Sequence, residues 1–135
     1  MIIVSIDYGD VRTGLASCDD SEFLVTPRSV IKERDKHLLA EKIARVSAEY
    51  GAEKLVVGYP LNMDGTAGIR ADKCAAFAEL LKAHVTIPIE LFDERCSTAE
   101  AHEILGANGV KNKNRKNKID AVAAAVILES YLQQR

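Results

Sequence analysis

The chain has 135 residues, which is the length of one domain, and we expect residues 1–135 to form a single unit. Its composition, 47% hydrophobic and 28% charged, is typical of a globular protein. No apolar run approaches the ~20 residues of a membrane span, and the N-terminus lacks the pattern of a signal peptide. We therefore expect a cytoplasmic protein without a membrane segment. Three cysteines without CxxC spacing argue against a disulfide framework and a cysteine zinc site.

The first third of the chain predicts three strands joined by short turns. Residues 2–7 are nearly all apolar and β-branched, which is typical of a central strand covered on both faces. Residues 12–18 suit a second strand and residues 23–31 a third, so the first pair is a hairpin. Pro27 lacks a backbone N–H and predicts an edge position or a bulge for the third strand.

The rest of the chain alternates helices and strands. We predict, in order, a helix, a strand, a helix, a strand, a short helix and a final helix, over residues 35–50, 54–58, 70–84, 87–92, 97–106 and 118–133. Asp35 can cap the first helix, and Ser97 with Glu100 fits a capping box for the short one. Strands reached through helices must be parallel crossovers. The fold is therefore α/β, a mixed five-stranded sheet with three antiparallel strands, then parallel ones, flanked by helices.

Three acids stand where the ends of these elements can converge. Asp7 ends the first strand, Glu94 follows the fifth strand beside Asp93, and Asp120 lies in the first turn of the final helix. Ligands collect at the carboxyl ends of parallel strands, and carboxylates suit Mg²⁺. Each acid alone has a simpler interpretation, as a turn former, a dipole partner or half of an ion pair. The joint pattern favours a divalent-cation site.

Basic residues are concentrated just before Asp120. Five of the eighteen Lys and Arg residues lie within positions 111–118, which hold no acid. With those five charges set apart from the overall −2, the remainder of the chain stands at −7. Such a run is either a solvated loop or an element that binds the phosphates of a nucleic acid. The sequence alone leaves both interpretations open.

Several segments together resemble the YqgF family, also called RuvX, of RuvC-like proteins. They span nearly the whole chain in the family's order and are Asp7-Tyr8-Gly9, Arg12-Thr13-Gly14, Gly58-Tyr59-Pro60-Leu61-Asn62-Met63-Asp64-Gly65-Thr66, Asp93-Glu94-Arg95, Ser97-Thr98 and Ile119-Asp120-Ala121-Val122-Ala123-Ala124. Cys96 departs from the pattern, which has an apolar residue there, often Leu. The resemblance implies a ribonuclease H-like fold.

The same resemblance implies a nuclease that hydrolyses phosphodiester bonds in the maturation of the 5′ end of 16S ribosomal RNA precursor. It implies Asp7, Glu94 and Asp120 as catalytic acids that hold two ions of Mg²⁺ or Mn²⁺. Whether Asp93 or Glu94 is the ligand stays open. The expected contacts to nucleic acid are the side chains of Arg12, Asn62, Arg95, Lys113, Arg115 and Lys116.

Two other functions compete with RNA processing. A Holliday junction resolvase would act on branched DNA and normally needs a symmetric dimer, for which the sequence shows no obvious interface. A nucleotide-binding module is the third possibility, since Asp7-x-Gly9 is similar to the first phosphate loop of actin-like ATPases. Those proteins pair two such domains around the nucleotide, and 135 residues supply one.

Overall fold

A computed structural model of the protein describes residues 1–94 and 115–134, and for residues 115–120 it describes the backbone alone. The described elements are β1 (Ile3–Asp7), β2 (Arg12–Cys18), β3 (Val25–Lys32), α1 (Lys36–Glu49), β4 (Lys54–Tyr59), α2 (Ile69–Lys82), β5 (Ile89–Asp93) and α3 (Arg115–Gln133). Each element predicted within these ranges is present, with ends shifted by three residues or fewer. The predicted short helix 97–106 and its capping box lie outside the described residues.

The five strands form one mixed sheet in the order β3-β2-β1-β4-β5. β1 pairs antiparallel with β2 and β2 with β3, whereas β1 and β4 pair in parallel, as do β4 and β5. The predicted arrangement is thus confirmed. Its consequence for function is that β1, β4 and β5 end at one edge of the sheet, the position where parallel sheets bind ligands.

The third strand is an edge strand with an irregular register, as Pro27 predicts. Leu15 pairs with Ser29 while Ala16 pairs with Pro27, so β3 has one extra residue at this point. An edge strand with a bulge tolerates the missing N–H of proline. β3 begins two residues later than predicted because the Asp19 carboxylate accepts hydrogen bonds from the amides of residues 23 and 24.

Helices cover both faces of the sheet. α1 and α2 pack on one face over a large apolar cluster, whose centre includes Ile6, Leu39 and Phe77. Asp35 caps α1 as predicted, accepting the N–H groups of residues 37 and 38 at 2.9 and 3.1 Å, which contributes about 1 kcal/mol. α3 packs on the other face, where small side chains (Ala16, Ala124, Ala125) allow close approach.

α3 runs antiparallel to β1, which two contacts establish. The Ser5 hydroxyl of β1 donates to the carbonyl of Ala124 at 2.6 Å. Further along α3, the Tyr131 hydroxyl accepts a hydrogen bond at 2.7 Å from Lys54, at the beginning of β4. The N-terminal part of α3 therefore lies toward the carboxyl ends of the parallel strands. No helix within residues 1–94 and 115–134 is long and apolar enough to cross a membrane.

Candidate active site

Asp7 is the last residue of the central strand and is half-buried at the sheet edge. Its strand neighbour across the parallel ladder is Gly58, because Ile6 pairs with Val57, and Gly58 pairs in turn with Phe92. Glu94 follows two residues after Phe92 along the chain. Successive side chains of a strand alternate between faces, so the fold carries Asp7 and Glu94 to the same region from strands on either side of β4.

Gly58 makes room for the carboxylate of Glu94. A Cβ atom on residue 58 would lie 3.0 Å from Oε2 of Glu94 and 2.7 Å from Cδ1 of Ile127, a residue of α3. Glu94 thus extends over β4 on the face covered by α3. A Cβ at position 58 would meet Ile127 first and would crowd the carboxylate of Glu94, so the side chains of both residues would have to shift.

Burial and the charge of Asp7 change the ionisation of Glu94. Burial and, second, the negative charge of Asp7 raise the pKa of Glu94 from its ordinary 4.5 to about 7. The positive charge of Arg70 opposes this increase, and Asp93 adds to it with a smaller effect. An acid held in this way is typical of functional sites, where like charges are brought together for a purpose other than stability. A bound cation would remove the repulsion.

A thiol near the two acids stays protonated. Burial raises the pKa of Cys74 to about 11, and the charges of Glu94 and Asp7 contribute to that increase. A protonated, buried thiol is a poor nucleophile and a poor metal ligand. The part of the chain that the structure describes also holds no group of three or more His, Cys, Asp and Glu side chains arranged for a metal ion. The described portion of the site is therefore a pair of carboxylates.

The backbone of residue 120 lies toward the same edge. Residue 120 precedes Ala124 by four positions, which is about 6 Å along a helix. Ser5 precedes Asp7 by two positions, which is a similar distance along a strand. Because Ser5 contacts Ala124 and α3 runs antiparallel to β1, residue 120 stands roughly level with Asp7. The side chain of Asp120 lies outside the described residues.

The structure corrects the predicted start of this last helix. α3 is already helical at Arg115, the first described residue after the gap, so the end of the basic segment is helical and Asp120 is at least the sixth helical residue. Asp120 is consequently not in the first turn, where an acid is explained by the helix dipole. The simpler interpretation of this acid is thereby weakened. The side chains of Arg115 and Lys116 are not described, and Lys113 lies outside the described residues.

The structure describes two of the three remaining residues that were predicted to contact nucleic acid. Arg12 begins β2 and is half-buried, and its buried Nε has no hydrogen-bond partner among the described residues. Asn62 is exposed in the loop before α2, where its amide donates to the Thr66 hydroxyl at 3.0 Å. That loop is stabilised internally, since Thr66 also bonds Asp64 through its amide and hydroxyl. Arg95 lies outside the described residues.

Arg70 is a residue near the site that the sequence analysis did not select. It lies in the first turn of α2, forms an ion pair with Asp10 at 3.2 Å and influences the ionisation of both Glu94 and Cys74. One signal in the sequence points to it. A cation in the first turn of a helix is opposed by the helix dipole, so a reason for it must be sought outside that helix.

Comparison with known proteins extends these observations. A family model described as "RuvX: Holliday junction resolvase" matches residues 1–134. A protein of Anaeromyxobacter dehalogenans named "Putative pre-16S rRNA nuclease" is 44% identical, with 100% of this chain and 98% of the relative covered. A protein of the same name from Syntrophus aciditrophicus is 39% identical, with 98% and 88% covered.

Among solved structures, the chain is similar to Thermus thermophilus RuvC in complex with a Holliday junction substrate. The TM-score is 0.63 at 14% identity, and 99% of this chain and 96% of RuvC are covered. At this identity the likeness concerns the fold, which is ribonuclease H-like. The predicted fold class is thus confirmed.

Proposed function

The chain belongs to the RuvX family, and we propose that it is a metal-dependent endonuclease that hydrolyses phosphodiester bonds. The observation that carries this proposal is the pair formed by Asp7 and Glu94. Two acids meet at the ligand-binding edge of the sheet, where burial and, second, the charge of Asp7 raise the pKa of Glu94 to about 7. A protein gains nothing in stability from such an arrangement, and a bound cation or cations would explain it.

The donor set fits Mg²⁺ or Mn²⁺. Both ions prefer carboxylate oxygens and keep several waters, so few protein ligands are needed. We assign Asp7, Glu94 and Asp120 as the ligands of two ions. When bound, such ions supply an activated water and neutralise the charge that develops on the leaving oxygen. The chain's own contribution is to hold the carboxylates together, with Gly58 providing the space for Glu94.

The substrate we propose is the 5′ region of 16S ribosomal RNA precursor. Support comes from the full-length similarity to relatives whose name includes this activity. An enzyme of ribosome assembly would work in the bacterial cytoplasm. Branched DNA is the second candidate, favoured by the description of the family and by the likeness to a resolvase bound to a Holliday junction.

Contacts to the sugar–phosphate backbone would come from basic and amide side chains around the acids. The buried Nε of Arg12 is a donor that a phosphate oxygen can accept from. We further assign to this role the side chains of Asn62, Arg95, Lys113, Arg115 and Lys116. Such contacts orient a strand without reading its sequence, so the shape of the substrate would determine the choice of cleavage site.

A cleavage assay with two substrates tests this proposal. The purified chain is incubated with an RNA spanning the precursor 5′ end and with a four-way DNA junction, each in Mg²⁺, Mn²⁺ or excess chelator. We expect RNA cleavage with either ion and none with chelator or in Asp7→Asn, which removes one charge but keeps the shape. Asp10→Asn, three residues away, is the matched control and should remain active.

Three outcomes would change the conclusion. Full activity of Asp7→Asn, or full activity in chelator, contradicts metal-dependent catalysis by this site. Cleavage of the junction without cleavage of RNA selects the second candidate substrate. Far-UV circular dichroism of Asp7→Asn separates a lost function from a lost fold.

A further inference from the structure

Arg70 joins the first turn of α2 to the turn that follows Asp7. Its Nη2 donates a hydrogen bond to the backbone carbonyl of Tyr8, and its Nη1 donates to Oδ1 of Asp10 at 3.2 Å. The guanidinium also lies over the Tyr8 ring, with its central carbon 5.1 Å from the ring centroid. One side chain therefore contacts two of the three residues after Asp7, through both backbone and side chain.

The ring of Tyr8 is itself held by α2. It stacks on Phe77 with the ring centroids 4.4 Å apart and the planes 7° from parallel, and both side chains are buried. Arg70 and Phe77 are seven residues apart, which is two helical turns, so they lie on the same side of α2. The helix thus contacts Tyr8 at two points along its length, through Arg70 and through Phe77.

The other side of the turn is fixed by β2. The Gly9 N–H donates to the Thr13 hydroxyl at 3.2 Å, and a Cβ on Gly9 would stand 1.9 Å from the carbonyl oxygen of Arg12. The backbone is therefore packed tightly against β2 here. With Arg70 on one side and Thr13 on the other, the peptide after Asp7 has little freedom.

The stability of α2 does not explain why an arginine stands at position 70, in its first turn. A positive charge in the first helical turn opposes the helix dipole, whereas Asp72, in the same turn, suits it, and the N-cap residue Gly68 provides no side-chain hydrogen bond. The ion pair with Asp10 is no better reason, because 39% of the Arg70 side chain and 64% of the Asp10 side chain are exposed and such pairs contribute little. The contact with the Tyr8 carbonyl is the one that bears on the candidate active site.

We propose that Arg70 is a positioning residue, which holds the turn after Asp7 so that the Asp7 carboxylate stays beside Glu94 at the sheet edge. This inference rests on the proposed function, since it assigns Arg70 a part in the same site. A guanidinium suits the task because its planar group donates to the Tyr8 carbonyl while it lies over the Tyr8 ring. Outer partners that orient the ligands of a metal typically change affinity or activity by about 10- to 100-fold.

Four variants of the full chain separate the contacts of Arg70. Arg70→Gln removes the charge, the guanidinium fork and the cation–π contact, whereas Arg70→Lys keeps the charge on a single donor nitrogen but not the fork. Asp10→Asn and Lys73→Gln are the matched controls. Lys73 lies one turn further along α2 and reaches the same Asp10 oxygen at 3.7 Å, so these two variants disturb the ion pairs and leave the bond to the Tyr8 carbonyl.

Three measurements are made on each variant. They are amide hydrogen exchange over residues 7–13, the Mn²⁺ dissociation constant by electron paramagnetic resonance, and kcat and KM for RNA cleavage. For Arg70→Gln we expect faster exchange, Mn²⁺ affinity weakened about 10- to 100-fold, and a loss in kcat that exceeds any change in KM. Arg70→Lys should recover part of each loss. Both control variants should resemble the wild type.

Contrary outcomes are equally definite. Unchanged exchange and Mn²⁺ affinity in Arg70→Gln would overturn the proposal, as would an Asp10→Asn variant that reproduces its defects. An increase in KM alone would make Arg70 a substrate contact and refute the positioning role. If the wild type cleaves neither substrate, the proposed function fails, while hydrogen exchange still shows whether Arg70 holds the turn.

Discussion

The ionisation of Glu94 predicts an unusual dependence of stability on pH in the metal-free protein. The pKa of this acid is about 7 in the folded chain, compared with an ordinary value of 4.5. Between these two values the folded state retains a proton that the unfolded state has released. The free energy of unfolding must therefore fall as the pH rises through this window, and the loss is complete above the folded pKa.

The size of the effect follows from the same two values. A difference of 4.5 against about 7, at ~1.36 kcal/mol per pKa unit, is about 3 kcal/mol. Glu94→Gln removes the ionisable group while preserving its shape. At pH 8 we expect this variant to be more stable than the wild type by up to about 3 kcal/mol, and below pH 4.5 we expect the two to be similar.

Urea denaturation in the presence of chelator, repeated across this pH range, measures the difference directly. Subtracting the curve of Glu94→Gln from that of the wild type cancels the other titrating groups. Asp93→Asn is the control, because the charge of Asp93 is the smallest contributor to the pKa of Glu94. Parallel pH profiles for the wild type and Glu94→Gln, or a Gln variant that is less stable at pH 8, would refute the reasoning.

Three further predictions concern the acids Asp93 and Glu94, the glycine at position 58 and the basic segment. Glu94→Gln should be inactive in the RNA assay and Asp93→Asn measurably active, and the reverse result would move the ligand by one residue. Gly58→Ala should cost about 1–3 kcal/mol in urea denaturation and weaken Mn²⁺ binding, because the added Cβ would meet Ile127 and crowd the carboxylate of Glu94. Normal affinity would contradict the steric argument. Neutralising Lys113, Arg115 and Lys116 in the basic segment should reduce the log–log salt slope of RNA binding by ~0.7 per lost contact. The turnover of bound substrate should change little. An unchanged slope would make the segment a solvated connector.

The chain pattern by itself determined the sheet and the places of the acids. Runs of β-branched residues and their connections were sufficient for the mixed topology, because pairing direction depends on whether strands are joined by a turn or a helix. Pro27 correctly indicated the irregular edge strand, since a missing backbone donor is a local property. The positions of Asp7 and Glu94 at strand ends followed from the same local patterns.

Only the tertiary structure decided how the acids are related. Alternation along β5 separates Asp93 from Glu94, but the space that Glu94 occupies over Gly58 is shared with Ile127 of α3, which is 33 residues further along the chain. Arg70 escaped the sequence analysis because its partner Tyr8 is 62 residues away. Hydrogen-bond partners and desolvation arise from such distant packing, whereas strand and helix signals are local. A sequence therefore shows where charged groups can gather, and the packed chain determines how strongly they interact.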